Sequence, residues 1–119
     1  MNGLVKPLTW LLGVVLTLVG VAGFFTGDML LWFQVDTLHN IIHILSGVVA
    51  LVAASSGEGY SRLYLIVFGI VYGLVTILGF AMGGSILGLF MVNGADNYLH
   101  AAIAVVSLVV GFGSNQAMS

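Results

Sequence analysis

Three histidines and one aspartate form two pairs whose spacing suits a metal site. His39 precedes His43 by four residues, and Asp96 precedes His100 by the same interval. Because residues i and i+4 lie on one face of an α-helix, each pair would direct two ligand groups the same way. Imidazole and carboxylate groups bind Zn²⁺, iron, nickel, cobalt and copper, so the ligands alone do not identify the metal. The chain has no cysteine, which excludes thiolate ligands and disulfides.

The two pairs belong to a polar octet that occurs twice in the chain. Residues 36–43 align without a gap on residues 93–100, and each copy ends in a histidine. The similarity extends into the flanking segments on both sides. We therefore predict an internal repeat of residues 4–56 and 60–113, which would be two copies of one helical hairpin.

The composition indicates an integral membrane protein. The chain is 61% hydrophobic and 5% charged, whereas soluble domains carry about 25% charged residues. Four apolar stretches, near 8–26, 38–55, 62–82 and 95–113, are long enough to cross a hydrocarbon core of about 30 Å. The predicted fold class is an all-α membrane protein, a single domain over residues 1–119 that forms a four-transmembrane-helix bundle.

The distribution of charge predicts the topology. The chain has two basic residues, and Lys6 and Arg62 flank the first and third predicted helices. The other two connections carry the acidic residues Asp28, Asp36 and Asp96. By the positive-inside rule, both termini and the 55–61 turn face the cytoplasm of a multi-pass inner (plasma) membrane protein. The two hairpins then have the same orientation, and both octets lie near the outer leaflet.

The connections on the outer side are apolar. Segments 27–35 and 83–92 contain Trp32, Phe33 and Phe90, and aromatic rings of this kind anchor at the headgroup region. We expect these segments to be loops that cover the outer end of the bundle.

Glycines on the third predicted helix indicate close helix packing. Gly69 and Gly73 form one GxxxG pair, and Gly79 and Gly83 form another. Small residues at this spacing let helix backbones approach each other in a membrane. Beside them, the hydroxyl of Tyr72 is expected to bond a carbonyl of a neighbouring helix.

The start of each octet predicts where its helix begins. Asp36 and Asn93 are residue types that cap helix N-termini. Small residues continue the face of each ligand pair along its helix, which directs both pairs into the bundle.

The predicted metal ligands are His39, His43, Asp96 and His100. The predicted supporting residues around them are Asp36, Asn40 and Asn97. Four protein ligands would close the coordination sphere and favour a structural or sensing site.

Three alternatives remain at this stage. The histidines could form a structural hydrogen-bond network with backbone carbonyls or with Asn40 and Asn97. His43 and His100 could instead be the axial ligands of a haem or another tetrapyrrole between two helices. The chain could also be an accessory subunit of a larger membrane complex, or a homo-oligomer in the lipid bilayer.

Two function classes are not expected. No nucleophile or general base is evident, so the residues do not indicate an enzyme. A net charge of -2 does not indicate a nucleic-acid partner.

The motifs also resemble those of a known family. The pattern Asp-x-x-His-Asn-x-x-His-x-x-x-Gly is present at residues 36–47, Gly-x-x-Tyr at 69–72, and Asp-Asn-x-x-His at 96–100. The chain resembles the bacterial domain of unknown function 4383 family of small four-helix membrane proteins. The resemblance implies this architecture and no particular activity. One difference is Ala104, which stands where the second predicted helix has Gly47.

The charge distribution generates a testable topology. Reporter fusions at residues 3 and 117 should both report the cytoplasm, because the basic residues flank the odd-numbered helices. Opposite locations for the two fusions would mean an odd number of spans and would contradict the duplicated-hairpin model.

Overall fold

Four helices form most of the chain. The computed structural model describes residues 1–115, so the reporter position 117 lies outside the described residues. The helices, each long and apolar enough to cross a membrane, are α1 Asn2–Gly23, α2 Thr37–Ser56, α3 Glu58–Met82 and α4 Gly94–Gly113. Helices make up 76% of the described residues, which confirms the predicted all-α four-helix bundle.

The first helix begins earlier than its apolar stretch suggested. α1 starts at Asn2 and includes Pro7, whereas the sequence predicted a start near residue 8. Proline lacks an amide hydrogen, so it removes the helical hydrogen bond to the carbonyl four residues before it. At position 7 this affects only the carbonyl of Gly3, near the beginning of the helix, and the helix continues through it. Between the second and third helices, Gly57 is the single connecting residue.

Two short β-hairpins replace the loops predicted at 27–35 and 83–92. In the first, β1 Met29–Leu30 pairs antiparallel with β2 Phe33–Gln34. In the second, β3 Ser85–Ile86 pairs antiparallel with β4 Phe90–Met91. Pairing satisfies backbone amides and carbonyls that would otherwise lack partners in an apolar surrounding. Both hairpins lie at the same end of the bundle, which we call the hairpin end.

The hairpin turns use leucine where glycine or asparagine is usual. Leu31 has a φ of 55° and Leu87 a φ of 54°. This left-handed conformation is uncommon for residues other than glycine, asparagine and aspartate. Neither leucine is a turn signal, although Gly88, with a φ of 72°, follows Leu87 in the second turn. The strands themselves are only two residues long, which is why they were not predicted.

The helices pack in two close pairs, α1 with α2 and α3 with α4, while α2 and α3 contact each other less. At Gly47 of α2, a Cβ atom would lie 2.5 Å from the Thr17 backbone nitrogen and 2.9 Å from the Gly13 carbonyl oxygen. At Gly69 of α3, a Cβ atom would lie 2.8 Å from Leu108 Cγ on α4. Glycine at both positions allows the close approach of the paired helices.

Only one glycine of each GxxxG pair packs closely against a neighbouring helix. Gly69 and Gly79 contact α4, as expected for small residues in a helix interface. At Gly73, however, a Cβ atom would make an ordinary 3.8 Å contact with Ala104. Gly83 is the residue that ends α3, with a φ of 67° in the left-handed region. Glycine is favoured there because it has no Cβ atom to oppose that conformation.

Two tyrosines of α3 bond the same residue of α2. The Tyr72 hydroxyl donates to Ser46 Oγ at 3.0 Å, and the Tyr64 hydroxyl donates to the Ser46 carbonyl oxygen at 2.9 Å. Tyr72 was expected to bond a carbonyl of a neighbouring helix, but its partner is a hydroxyl, and it is Tyr64 that bonds a carbonyl of α2. These buried hydrogen bonds link α2 to α3 along an interface that has few close backbone contacts.

The order helix, hairpin, helix occurs twice along the chain, once in each half. The prediction that residues 6–54 superpose on residues 62–111 by rotation about the membrane normal stays a prediction.

The contact at Gly47 generates a stability prediction. Gly47→Ala should lower the free energy of unfolding by about 1–3 kcal/mol, because the added methyl group meets backbone atoms of α1 that cannot rotate away. Gly73→Ala is the matched control, since its methyl group has room and alanine favours the helix by about 1 kcal/mol. Thermal unfolding of the detergent-solubilised variants measures both. Equal melting temperatures for the two variants would contradict the close α1–α2 contact.

Candidate metal centre

The N-terminal caps of α2 and α4 set the height of the histidines. Asp36 caps α2 and its Oδ1 accepts a hydrogen bond from the His39 amide at 2.8 Å. Asn93 caps α4 and its Oδ1 accepts from the Asp96 amide at 2.9 Å. Both predicted caps are confirmed. His43 and His100 therefore lie on corresponding turns of two helices that begin at the same end of the bundle.

The structure brings three of the four predicted ligands together. His39, His43 and His100 each offer one ring nitrogen, and these three atoms all lie within 4.8 Å of one another. The ring centroids are 4.5 Å apart for His39 and His43, 5.4 Å for His39 and His100, and 5.9 Å for His43 and His100. Each side chain is at most 2% exposed. We call this group the histidine cluster.

Most ring nitrogens of the histidine cluster lack a hydrogen-bond partner. His39 Nε2 and His100 Nε2 lie 3.5 Å apart, which is the one polar contact between the rings. The other four nitrogens, both of His43 and the Nδ1 atoms of His39 and His100, have no partner among residues 1–115. Buried polar groups are normally hydrogen-bonded, so an unpaired set of this size requires an explanation such as an ion.

Asn40 and Asn97 do not form the structural network that was considered as an alternative. Within the described chain, no hydrogen bond joins either amide to an imidazole, and the Oδ1 atoms of both are unpaired. Each amide instead packs against a glycine of the adjacent helix, Asn40 against Gly23 and Asn97 against Gly79, in the space where a Cβ atom would stand. These asparagines fix the helix pairs that carry the histidines.

Asp96 bonds backbone amides at the beginning of α4. Its Oδ2 accepts hydrogen bonds from the Asn93 amide at 2.9 Å and from the Gln34 amide at 3.1 Å. The first of these completes a capping box, in which the third helical residue turns back to the cap. The carboxylate therefore lies at the beginning of α4, and the cluster of ligand atoms contains the three histidines without it.

The two carboxylates also hold the hairpins over the cluster. Asp36 Oδ2 accepts from the Met91 amide of β4 at 2.7 Å, while Asp96 accepts from Gln34 of β2. Each half of the chain thus bonds the hairpin of the other half. In consequence, the ring of Phe90 on β4 lies 5.3 Å from the ring of His39. Sequence analysis did not assign Phe90 or these backbone amides to the site, because the contacts form only between the two halves.

An apolar cavity of about 220 Å³ adjoins the cluster between α2 and α3. Besides the three histidines, its walls are formed by Ile42, Val71, Tyr72, Val75 and Phe90. The Tyr72 ring lies 5.4 Å from the ring of His100. From the sequence, Tyr72 had a packing role and a place in the Gly-x-x-Tyr pattern, but its distance from the histidines depends on how α3 meets α2 and α4.

The donor set fits a metal ion and does not fit a tetrapyrrole. Neutral imidazoles are common ligands of Zn²⁺, copper, iron and nickel, and these three are close enough for one ion to bind all of them. A haem held by His43 and His100 would require free space between their rings. His39 is in contact with both rings, and the adjoining 220 Å³ is below the roughly 300–1,000 Å³ of pockets for drug-sized ligands.

Comparison with known proteins gives one match. No curated protein and no solved structure matches the chain significantly. A family model does match, over residues 6–113, which include the four helices almost completely and every residue of the histidine cluster. This chain belongs to the family described as Domain of unknown function (DUF4383).

Proposed function

We propose that this protein is an integral membrane protein that binds one transition metal ion through His39, His43 and His100. The observation that carries the proposal is the group of three fully buried imidazoles with four unpaired ring nitrogens. A bound ion would replace missing hydrogen bonds with coordinate bonds. Without an ion, each unpaired polar group buried in the bundle costs about 1–3 kcal/mol.

The surroundings of the cluster support a membrane site. Four helices have the length and hydropathy to span a bilayer. His43 and His100 lie about two turns inside α2 and α4, and His39 lies in the first turn of α2. Ionisable groups at this depth are costly and usually functional. We propose that the hairpin end faces the outer leaflet and that both termini are cytoplasmic. The basis is that Lys6 and Arg62 lie near the starts of α1 and α3, at the end of the bundle away from the hairpins.

Three protein ligands would leave one coordination position open. The sequence suggested four ligands, including Asp96, and therefore a closed structural or sensing site. The hydrogen bonds of Asp96 to Asn93 and Gln34 favour a three-histidine site instead, and catalytic zinc sites also combine three protein ligands with an open position. A bound ion would supply Lewis acidity at that position. Asp36 and Asp96 would hold the helix ends that position the imidazoles.

The backbone near His39 suits this arrangement. Residues Gln34 and Met91 approach the His39 ring with their backbone groups, although His39 Nδ1 makes no hydrogen bond within residues 1–115. Metal-binding imidazoles usually donate their second ring hydrogen to a carbonyl, a carboxylate or water. We infer that a small rotation of the ring on metal binding would complete such a bond.

The accessory-subunit hypothesis has a narrower basis. Lipid-facing residues such as Leu18, Leu45, Leu74 and Val105 are more than half exposed, and this surface could contact lipid or another protein. A homo-oligomer or a larger membrane complex therefore stays a prediction beside the metal site.

Substitution of the histidines tests the metal site. His43→Ala, His100→Ala and His39→Ala should each abolish stoichiometric metal, because two remaining imidazoles cannot hold the ion. Leu16→Ala is the matched control, since it removes a buried side chain near Tyr72 and Ala104 and leaves the imidazoles intact. Elemental analysis of detergent-purified protein gives the metal content. Adding Zn²⁺ at about one hundred times its Kd should stabilise the wild type by about 2.7 kcal/mol and the histidine variants by much less.

One set of results would contradict the metal site. A wild-type protein that purifies without metal, shows no thermal shift with Zn²⁺, Ni²⁺, Co²⁺ or Cu²⁺, and has no Soret band would make the histidines structural.

A conservative change at Asp96 separates capping from ligation. Asp96→Asn retains one oxygen acceptor for the backbone amides and removes the charge. The three-histidine site predicts unchanged metal stoichiometry and a loss of about 1 kcal/mol in stability from the weakened cap. Asp28→Asn, at an exposed aspartate, is the control. Loss of stoichiometric metal from Asp96→Asn alone would establish the four-ligand site that the sequence suggested.

A further inference from the structure

The two helices that carry the histidine cluster have little direct contact with each other. Close packing joins α1 to α2 and α3 to α4, whereas α2 and α4 are not among the helix pairs with several close backbone contacts. Between these two helices, the ring centroid of His100 lies 5.4 Å from that of His39 and 5.9 Å from that of His43. The separation of the proposed ligands therefore depends on the elements packed around them.

The orientation of two of the imidazoles also lacks its usual support. A metal-binding imidazole generally donates the hydrogen of its second ring nitrogen to a carbonyl, a carboxylate or water. The Nδ1 atom of His100 and both ring nitrogens of His43 have no hydrogen-bond partner among residues 1–115. These two rings must then be oriented by the side chains packed against them.

Tyr72 of α3 is packed against one of these rings. Its own ring lies 5.4 Å from the ring of His100, with 47° between the two planes. The side chain is 2% exposed and belongs to the same buried cluster as Ala104, which lies one turn after His100 on α4. Tyr72 is therefore part of the surface that holds His100 in place.

The hydroxyl of the same side chain is bonded to α2. It donates to Ser46 Oγ at 3.0 Å, and Ser46 lies three residues after His43, on the same side of the helix. Ser46 is 4% exposed, so the bond is shielded from water. One side chain of α3 thus contacts a proposed ligand of α4 with its ring and is linked by its hydroxyl to α2, one turn from a proposed ligand there.

A second tyrosine of α3 provides a comparison. The Tyr64 hydroxyl donates to the Ser46 carbonyl oxygen at 2.9 Å, so it also links α3 to α2. Its ring is stacked on Phe68 at 4.4 Å and belongs to a different buried cluster, about two turns of α3 before Tyr72. Tyr64 therefore makes the same kind of hydrogen bond at a distance from the imidazoles.

We propose that Tyr72 is a positioning residue of the metal centre. Its ring orients the His100 imidazole, and its bond to Ser46 sets the distance between the ligand on α4 and those on α2. The proposal rests on the proposed function, because a positioning role requires a metal ion held by both helices. It assigns a part in the site to α3, a helix that contributes no ligand.

Removal of one hydroxyl tests this role. Tyr72→Phe retains the ring and breaks the bond to Ser46, so the affinity for Co²⁺ should fall about tenfold, the lower end of the range for residues that orient metal ligands. The visible absorption spectrum of the Co²⁺-loaded variant should also change, because the d–d bands depend on the geometry of the ligands. Competition with a chelator measures the affinity in detergent-purified protein.

Tyr64→Phe is the matched control. It removes a hydroxyl from the same helix and a hydrogen bond to the same residue of α2. Both variants should therefore lower the melting temperature of the metal-free protein by similar amounts. Only Tyr72→Phe should change the Co²⁺ affinity and the spectrum.

Ser46→Ala breaks the same bond from the other side. It removes the Oγ acceptor of Tyr72 and leaves the backbone carbonyl that Tyr64 bonds. It should reproduce the affinity and spectrum of Tyr72→Phe, and the double variant should weaken Co²⁺ binding no further, because both substitutions remove one interaction. Ser46→Ala decides the question alone if Tyr72→Phe does not fold.

The outcomes separate this inference from the proposed function. A wild type that binds Co²⁺, with the same affinity and spectrum in Tyr72→Phe and Ser46→Ala, overturns the inference and leaves the metal site in place. Equal changes in Tyr64→Phe and Tyr72→Phe also overturn it, because general loosening of the α2–α3 interface would then be the cause. A wild type that binds neither Co²⁺ nor Zn²⁺ overturns the proposed function and the inference with it.

Discussion

The free backbone amides at the beginnings of α2 and α4 and in the two β-hairpins are the constraint that accounts for where the acidic and amide side chains of this chain lie. Buried backbone amides need hydrogen-bond partners within the protein. The first amides of α2 and α4 receive theirs from Asp36, Asn93 and Asp96. The hairpin amides of Gln34 and Met91 receive theirs from the same carboxylates. Helix ends and hairpins are therefore joined by one set of hydrogen bonds at the hairpin end.

The histidine cluster depends on this set of bonds. The caps fix where α2 and α4 begin, and the glycine contacts at Gly23 and Gly79 fix how each helix meets its partner. Once both are set, residues at corresponding turns of α2 and α4 are brought together. Four of the seven buried side-chain nitrogens and oxygens that lack a hydrogen-bond partner in the described residues belong to the histidine cluster. Such a concentration of unpaired polar atoms is where a ligand is expected.

The two halves have similar sequences and different chemistry. Where the first octet has His39, the second has Asp96, and the structure gives the two residues separate tasks. The histidine joins the cluster, whereas the carboxylate bonds backbone amides. In α3, Tyr72 stands where α1 has Leu16, which places a hydroxyl-bearing ring beside the histidine cluster and the cavity of about 220 Å³. Corresponding positions of the two halves therefore have different surroundings.

The sequence by itself determined the four helices, the caps at Asp36 and Asn93, and the identity of the three histidines, because these follow from local apolar periodicity and from spacing within one helix. It could not determine the hairpins, since their turns place Leu31 and Leu87 at positive φ without a glycine or asparagine signal at those positions. It also could not assign Asp96, whose residue type suits both a ligand and a cap. Only the tertiary structure shows that Asp96 bonds the Gln34 amide, because that amide comes from the other half of the chain. The cavity beside His43 likewise exists only where α2 and α3 meet, and no spacing within a single helix encodes it.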